Sequence, residues 1–265
     1  MNRTDYFALA DELARESGVK REFHDSMFVM QRERLWMTLS HFHVWDLRGK
    51  NVLEIGAFYS YTPFILRQNG NTVTVVEGDD PITYPLKPMY ARRGIGLVFA
   101  DLTASFGNPD VTKHKLPFPD SHFDVIICWE TMEHFNFNPV GVVKEIRRLL
   151  KRGGFAALTV PNRARLNHRV QMAMGRPIGV SIESYYTFYS HPGHFFGWHW
   201  REYTMKEFSE LFARENFTVE SAEYLTYFMN RPNKSCVRSI CESIIRLVCK
   251  VFPSCGSVCA LMVRK

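Results

Sequence analysis

The sequence lacks several features that mark other classes of protein. Its 265 residues contain no Gly/Ser run, proline-rich tract or block of like charge that would form a linker, so we expect a single domain over residues 1–265. No run of eighteen apolar residues is present, which argues against a membrane-spanning helix. The first residues are acidic and polar where a signal peptide is basic and then apolar, and we therefore expect a cytoplasmic protein.

Cysteine is present without the spacing that metal sites or disulfide frameworks need. Five of the six cysteines lie between Cys236 and Cys259, with no CxxC pair and no histidines among them. We therefore expect reduced thiols. The hydrophobic fraction of 46% is enough for a chain of this length to bury a full core.

The most informative stretch is a predicted unit of strand, turn, helix and strand. Residues 52–55 are an apolar run ending on Gly56, residues 61–68 can form a helix, and the β-rich run 72–76 ends on Glu77. Parallel βαβ units bind small ligands outside the carboxyl ends of their strands. An acid at the end of the second strand accepts hydrogen bonds from a ribose, and Glu77 occupies that position.

The turn in this unit lacks the glycines of a dinucleotide site. Such a site needs glycines at positions 56, 58 and 61, where this sequence has Gly56, Phe58 and Tyr61, so we expect neither NAD nor FAD. S-adenosylmethionine has no phosphate and carries a sulfonium and an ammonium group, which suit an acid such as Glu54 beside the turn. The alternative is that Glu54 and Glu77 are ordinary polar residues at strand ends.

The whole chain predicts an α/β protein with a doubly wound, mostly parallel seven-stranded sheet and N-terminal helices, because strands alternate with helices. Thr204 and Glu207 predict a capping box at the start of a late helix. Gly153 and Gly154 predict the end of an earlier one. Further strands are expected over residues 96–100, 123–128, 155–160, 218–224 and 258–263, and further helices over residues 5–17, 26–45, 139–152 and 235–252.

Five blocks of sequence carry a resemblance to a known family. The succession VLEIGA, VTVVEGD, ADLT, LPFPDSHFDVIICWETMEHF and RRLLKRGGFAALTVPN resembles the class I S-adenosylmethionine-dependent methyltransferases, in particular the broad group of ubiquinone-biosynthesis and glycan-modifying enzymes. The resemblance covers residues 30–225 and implies a Rossmann-like methyltransferase fold. The cofactor-binding residues that it implies are Glu54, Gly56, Ala57 and Phe58 around the methionine, Glu77 at the ribose, Asp101 and Leu102 at the adenine, and Trp129 against the cofactor.

The sequence departs from the family pattern in the cofactor turn. Phe58 and Ser60 stand where the family usually has glycine, and Arg152 stands where it usually has proline. These departures leave open a non-catalytic binding or scaffold protein that retains the fold.

Two histidines are candidates for catalysis. His134 follows the fourth strand, whose end faces the methyl group, and a hydroxyl acceptor needs a base there. His194 lies in the aromatic and histidine-rich stretch Tyr185–Trp200, within residues 161–203, which we interpret as an acceptor-pocket insertion. His191 and His199 are further polar contacts in that stretch. The alternatives are a helix-capping role for His134 and a small satellite core for the aromatic stretch.

A metal site is a further hypothesis. Glu130, Glu133 and His134 are spaced i, i+3, i+4 and would share one helical face. The pattern is similar to that of the small-RNA 2′-O-methyltransferases, in which such residues hold a metal ion. His194 resembles an additional histidine of those enzymes. The motif also occurs in relatives without a metal, so a divalent ion is a possible cofactor but not an expected one.

Charge bears on the acceptor. Residues 144–182 contain nine Lys/Arg and one acid, which suits an anionic acceptor; the arginines after the fifth strand are Arg163, Arg165, Arg169 and Arg176. The basic amphipathic helix 235–252 is expected to pack on the sheet, with contact to a membrane surface as the alternative.

The prediction from sequence is an O-methyltransferase of a small molecule or glycan, anionic or lipid-linked. A metal-assisted RNA ribose 2′-O-methyltransferase is the rival enzyme. Nucleic acid is the less expected partner, because no RNA-binding module is recognisable. We interpret residues 1–48 as a helical lid over the cofactor, with plain packing of these helices against the sheet as the alternative.

Overall fold

The computed structural model describes residues 2–17, 32–58, 60–78, 84, 86–100, 102, 115–190, 198–228 and 235–265. Seven strands form one sheet. They are β1 (Asn51–Ile55), β2 (Thr72–Glu77), β3 (Gly96–Phe99), β4 (Phe123–Trp129), β5 (Leu150–Pro161), β6 (Thr218–Leu225) and β7 (Val258–Arg264). The helices are α1 (Arg3–Ser17), α2 (Arg32–His41), α3 (Thr62–Gln68), α4 (Leu86–Arg92), α5 (Val140–Leu149), α6 (Leu166–Ala173), α7 (Ile182–Ser190), α8 (Met205–Ala213) and α9 (Cys236–Val251).

The sheet has the strand order β3-β2-β1-β4-β5-β7-β6, in which β7 runs antiparallel to both of its neighbours. The pairings among β1 to β5 are all parallel. This confirms the predicted seven-stranded, mostly parallel sheet. The order reverses between β1 and β4, and open sheets of this kind bind ligands at that point, outside the carboxyl ends of the strands.

The core lies on both faces of the sheet, because successive residues of a buried strand point to opposite sides. Val52 belongs to the hydrophobic cluster under the N-terminal helices, whereas Leu53 belongs to the cluster under α5 and α8. The predicted helix 26–45 is shorter in the structure: α2 ends at His41, a 3₁₀ turn follows at Val44–Asp46, and residues 18–31 lie outside the described part.

Gly153 and Gly154 do not end a helix, as the sequence had suggested. α5 stops at Leu149, and both glycines lie inside β5, which is longer than predicted. The reason is tertiary, since residue 150 already pairs with Phe123 of β4.

α9 does not pack its apolar side on the sheet, and that expectation was wrong. Val237, Ile240 and Ile244 of the apolar row are between 55% and 70% exposed, while Glu242 and Cys249 face inward. Among the described residues, we find no helix with the length and apolar character needed to cross a bilayer.

The predicted capping box at the start of α8 is confirmed. The Glu207 amide donates to the Thr204 hydroxyl oxygen at 3.3 Å, and the Thr204 amide donates to the Glu207 carboxylate at 2.9 Å. The cap fixes where α8 begins, after the aromatic and histidine-rich stretch. Phe208 and Phe212 then bury the helix against the sheet.

We expect Thr204→Ala to lower the free energy of unfolding by about 1 kcal/mol, because an amide at the helix start loses its acceptor. Thr204→Ser is the control and keeps stability near the wild-type value, since it retains the hydroxyl. Urea unfolding followed by circular dichroism measures both. Equal stability of the alanine and serine variants would contradict this role for the cap.

Candidate active site

Three buried groups meet at the carboxyl edge of the sheet. Glu54 lies near the end of β1, Glu77 ends β2 and Trp129 ends β4, and each is at most 6% exposed. β1 pairs with both β2 and β4, so the three strand ends are neighbours. The structure therefore brings together three of the residues that the sequence predicted to bind the cofactor.

The turn after β1 is held by backbone geometry. Gly56 has φ +69°, and its amide donates to the Val76 carbonyl at 2.8 Å. A Cβ at this glycine would lie 2.4 Å from Thr131 Cγ2, so any other residue requires Thr131 or the turn to move. Ala57 follows and is buried. The next residue, Phe58, has φ +49°, and its amide donates to the Glu77 carboxylate.

Ser60 compensates for its departure from the family pattern. Its hydroxyl is hydrogen-bonded to the Glu54 carboxyl and accepts from the Thr62 amide at 3.1 Å. The Phe58 side chain packs, partly buried, against the hydrophobic cluster under the N-terminal helices. Both departures thus have a place in the packing around the turn.

Glu54 offers one open acceptor atom. Its Oε2 is buried and has no hydrogen-bond partner among the described residues. Burial, and next the neighbouring Glu77, raises the pKa of Glu54 well above its usual value. A cation beside Glu54 would relieve both effects, and the ammonium group of S-adenosylmethionine is such a cation.

Glu77 also lies in an environment that disfavours its ionised form. Burial raises the pKa of this carboxyl to about 8, although the amides of Phe58 and Ala57 donate to it and oppose the shift. Hydroxyl groups of a ribose would add donors to the same carboxylate. The residues present at the strand ends therefore fit S-adenosylmethionine.

Of the two residues predicted to bind the adenine, the structure describes only Leu102. Leu102 is half-buried and packs against the cluster under α5 and α8, whereas Asp101 lies outside the described residues. His191 and His194 also lie outside the described residues, so their roles stay predictions.

The N-terminal segment lies over the end of β4. The Phe42 ring stacks on Trp129, with ring centroids 5.9 Å apart and planes 16° from parallel. Trp36 and Trp45 stack on each other beside it, at 5.0 Å. Trp129 Nε1 has no hydrogen-bond partner among the described residues. These contacts are compatible with the lid that the sequence predicts for residues 1–48.

Glu130, Glu133 and His134 do not share a helical face, and that expectation was wrong. Glu130 adopts φ +49° immediately after β4, and its carboxylate pairs with Arg34 of α2 at 2.8 Å. A 3₁₀ turn then starts at Met132, which sends Glu133 and His134 elsewhere. Sequence reasoning missed Arg34, because nothing in its own helix distinguishes it from a surface arginine.

The donor atoms of Glu133, His134 and His199 lie within 4.8 Å of one another. His199 reaches this group because the amide of Trp200 donates to the Glu133 carbonyl at 2.8 Å, which ties the end of the aromatic stretch to the β4 turn. The His134 and His199 rings are 5.0 Å apart. One carboxylate and two imidazoles therefore lie together at the carboxyl edge of the sheet.

The hydrogen bond of His134 fixes its tautomer. A carbonyl can only accept, so Nδ1–H donates to the Trp198 carbonyl at 2.8 Å and Nε2 carries the lone pair. Burial lowers the pKa of His134 to about 4; the hydrogen bond to the Trp198 carbonyl opposes this shift, and the nearby His199 contributes to it. The imidazole is therefore neutral near pH 7.

Glu133 faces that lone pair. Its Oε1 lies 3.7 Å from His134 Nε2, and neither carboxyl oxygen has a hydrogen-bond partner among the described residues. Burial, and next Glu130, raises the pKa of Glu133. Two lone pairs facing each other at this distance require a proton on the carboxyl or a cation between them.

Glu202 orients His199. It accepts from His199 Nδ1 at 2.8 Å and from Arg165 at 2.6 Å. Burial alone would raise the pKa of Glu202, but the hydrogen bonds from His199 and Arg165 bring it to about 2. Sequence reasoning missed this residue, although its position three residues after His199 was a signal.

We expect the contribution of Glu77 to stability without ligand to fall as pH rises from about 5 to about 7.5. The Glu77 pKa is 4.5 in the unfolded chain and about 8 in the folded one, so only the folded state keeps this proton across the window. Glu77→Gln removes one such proton, and the slope should flatten by about 1.4 kcal/mol per pH unit. Urea unfolding across this pH range measures the slope.

Glu54 and Glu133 keep their own raised pKa values in that variant, so part of the slope remains. Glu223→Gln, which changes an exposed carboxyl on β6, is the matched control and should retain the wild-type slope. A wild-type slope in Glu77→Gln would show that Glu77 is already ionised in the folded protein.

Comparison with known proteins agrees with this geometry. A family model described as a methyltransferase domain matches residues 28–222. No curated protein matches the sequence.

Solved structures share the fold at low sequence identity. An S-adenosylmethionine-dependent methyltransferase of Mesorhizobium loti is 14% identical, with a TM-score of 0.56 over 89% of this chain and 97% of that one. One of Archaeoglobus fulgidus is 12% identical, with a TM-score of 0.54 over 92% and 98%. One of Aquifex aeolicus is 12% identical, with a TM-score of 0.53 over 88% and 92%. The matched domain spans most of the chain and includes the turn and the strand ends, so the chain belongs to the class I S-adenosylmethionine-dependent methyltransferases.

Proposed function

We propose that the protein methylates a hydroxyl group of a small molecule or glycan. The observation that carries this proposal is the neutral His134 at the end of β4, with its Nε2 lone pair directed toward Glu133. A hydroxyl must lose its proton as its oxygen attacks a methyl carbon, and a neutral imidazole accepts that proton.

The chain's own residues have separate tasks in this reaction. S-adenosylmethionine supplies an electrophilic methyl group on a sulfonium. Glu54 holds the ammonium group, Glu77 holds the ribose, Trp129 packs against the cofactor, and Asp101 with Leu102 bind the adenine. Alignment of the acceptor oxygen with the methyl carbon and the sulfur supplies much of the rate.

His134 Nε2 takes the proton of the acceptor hydroxyl while the oxygen–carbon bond forms and the carbon–sulfur bond breaks. The products are a methyl ether, S-adenosylhomocysteine and an imidazolium. As the imidazolium forms, Glu133 gives its proton to water, and the resulting carboxylate stabilises the ring. The imidazolium then gives its proton to water and Glu133 takes one back, so that one proton, that of the acceptor, is released in each cycle.

Two segments flank the acceptor position. Arg34 of α2 binds Glu130 on one side, and the amides of Trp200 and Arg201 donate to the Glu133 carbonyl on the other. The N-terminal lid and the insertion 161–203 therefore form the walls of the acceptor pocket in this proposal. His194 is a second polar contact for the acceptor, proposed from its place in the sequence.

An anionic acceptor is supported by part of the arginine set only. Arg165 is engaged by Glu202, and Arg169 donates to the carbonyls of Ala164 and Ser254, so these two have structural tasks. Arg163 and Arg176 are exposed. We assign to these two the contact with acceptor phosphate or carboxylate groups.

A second candidate, metal-assisted 2′-O-methylation of an RNA ribose, is favoured by the Glu133, His134 and His199 group. One carboxylate and two imidazoles are a donor set for a divalent ion such as Mn²⁺, Fe²⁺ or Zn²⁺. Such an ion would occupy the space between the lone pairs of Glu133 and His134. It would bind the acceptor hydroxyl and lower its pKa.

We expect His134→Ala to lower turnover by about 10²- to 10⁴-fold, while affinity for S-adenosylmethionine changes less than about twofold. The acceptor is first found by mass spectrometry of a cell extract incubated with protein and isotope-labelled methyl donor. Turnover on that acceptor and calorimetry of donor binding then measure the two effects. Wild-type turnover in His134→Ala would remove this residue from the mechanism.

His43→Ala, which changes an exposed histidine, is the matched control and should turn over at the wild-type rate. Chelation distinguishes the two candidates. The base mechanism predicts full activity after treatment with EDTA and dialysis. Loss of activity that returns with Mn²⁺, together with methylation of a short RNA, would transfer the assignment to the metal-assisted reaction.

A further inference from the structure

α9 presents its apolar side to solvent. The apolar residues recur at three- and four-residue steps, so they form one row along the helix. The row consists of Val237, Ile240, Ile244, Leu247 and Val251, each between 55% and 70% exposed, and it continues into Phe252 at 61%. A helix that packs on its own domain normally buries such a row.

The inward side of α9 is mixed in character. Glu242 and Cys249 are the buried residues of the helix, and Ile245 is half-buried. Glu242 accepts from Arg238 at 3.0 Å. The helix is thus held by a side that buries little apolar surface, and 16 residues, about 24 Å of helix, remain available to a partner.

Charge indicates the partner. Residues 231–250 contain five Lys/Arg and a single acid, Glu242, which Arg238 already binds. Arg246 and Lys250 are exposed toward the end of the helix. Cations that flank an exposed apolar row are typical of helices that lie in the interface of an anionic membrane.

A second apolar surface adjoins the end of α9. Arg169 of α6 donates to the carbonyl and hydroxyl of Ser254 at 3.1 and 3.0 Å, which fixes α6 beside the turn after α9. Val170 and Met172 of α6, and Met174 directly after it, are between 48% and 62% exposed. We call the exposed apolar residues of α9, together with Phe252, Val170, Met172 and Met174, the apolar surface.

We infer that the apolar surface inserts into the interface of an anionic lipid membrane, with the cations of α9 on phospholipid headgroups. A second copy of the chain is the weaker occupant, because two copies would bring their cations together with only one acid in each α9 segment. Lipid phosphates complement those cations, whereas another copy repels them.

The placement of α9 relates this surface to the active site. Leu225 at the end of β6 and Pro161 at the end of β5 are both level with Val258. α9 therefore leaves and re-enters the sheet at the edge that carries Glu54, Glu77 and Trp129. This step rests on the proposed function. An enzyme bound to a membrane would take its acceptor from the lipid surface, and a lipid-linked sugar or a quinone precursor is an acceptor of that kind.

Sedimentation with sucrose-loaded vesicles tests the membrane contact without any acceptor. We expect the full chain to bind vesicles of phosphatidylcholine with about 30 mol% phosphatidylserine at least about tenfold more tightly than phosphatidylcholine alone. Binding should weaken between about 0.1 M and about 1 M salt. Ile240→Ser/Ile244→Ser/Leu247→Ser should weaken binding to the anionic vesicles at least about tenfold.

Arg246→Gln/Lys250→Gln is the second variant and should lose the preference for anionic lipid. The melting temperature of the triple variant shows whether it folds. If it does not fold, the double variant still tests the membrane contact, because it keeps the apolar row. Val219→Ser changes an exposed apolar residue at the far end of β6 and should bind as the wild type does.

Three results would overturn the inference. The first is no wild-type binding to anionic vesicles, and the second is wild-type affinity in both α9 variants. The third is a wild-type dimer in light scattering that the triple serine variant abolishes, which would assign the surface to a second copy. None of these results bears on donor binding, so the inference and the proposed function fail separately.

Discussion

The contact between Gly56 and Thr131 is the constraint on which the site depends. Thr131 lies two residues after β4, and its hydroxyl donates to the Trp129 carbonyl at 3.0 Å and lies 3.2 Å from the Gly56 carbonyl. Its methyl group occupies the space that a Cβ at position 56 would need. The Thr131 side chain therefore lies directly against the Gly56 backbone. Every other feature of the site is positioned relative to the ends of β1 and β4.

The burial of three carboxyl groups is the second constraint on the site. Glu54, Glu77 and Glu133 are each less than 5% exposed, and their pKa values are raised mainly because burial disfavours the ionised form. Partnerless oxygens on Glu54 and Glu133 destabilise the protein in the absence of ligand. Such atoms are expected where a cationic or hydrogen-bonding ligand completes the site. The ammonium and ribose of the methyl donor suit the first two residues, and an acceptor proton or a metal ion suits the third.

Much of the sheet, and the meeting of Glu54 and Glu77 at its carboxyl edge, was predictable from sequence, because the signals are local. The apolar runs gave the strands, Gly56 marked the turn, and the acid after the second run marked Glu77. The acceptor side was less predictable. Glu130 leaves the expected helical face because it has φ +49° and pairs with Arg34, 96 residues earlier in the chain. The periodicity of α9 predicted an amphipathic helix but not which side faces the domain. That choice depends on tertiary packing, which no local pattern encodes.

Calorimetric titration of S-adenosylmethionine into three proteins tests the central claim most directly. Gly56 and Gly70 both have positive φ, but nothing lies within 4 Å of a Cβ added at Gly70. Alanine therefore introduces backbone strain at both positions but a steric clash only at position 56. The account predicts that the wild type and Gly70→Ala bind alike, and that Gly56→Ala loses at least about tenfold in affinity. Equal affinity in Gly56→Ala, or no binding by the wild type, would contradict it.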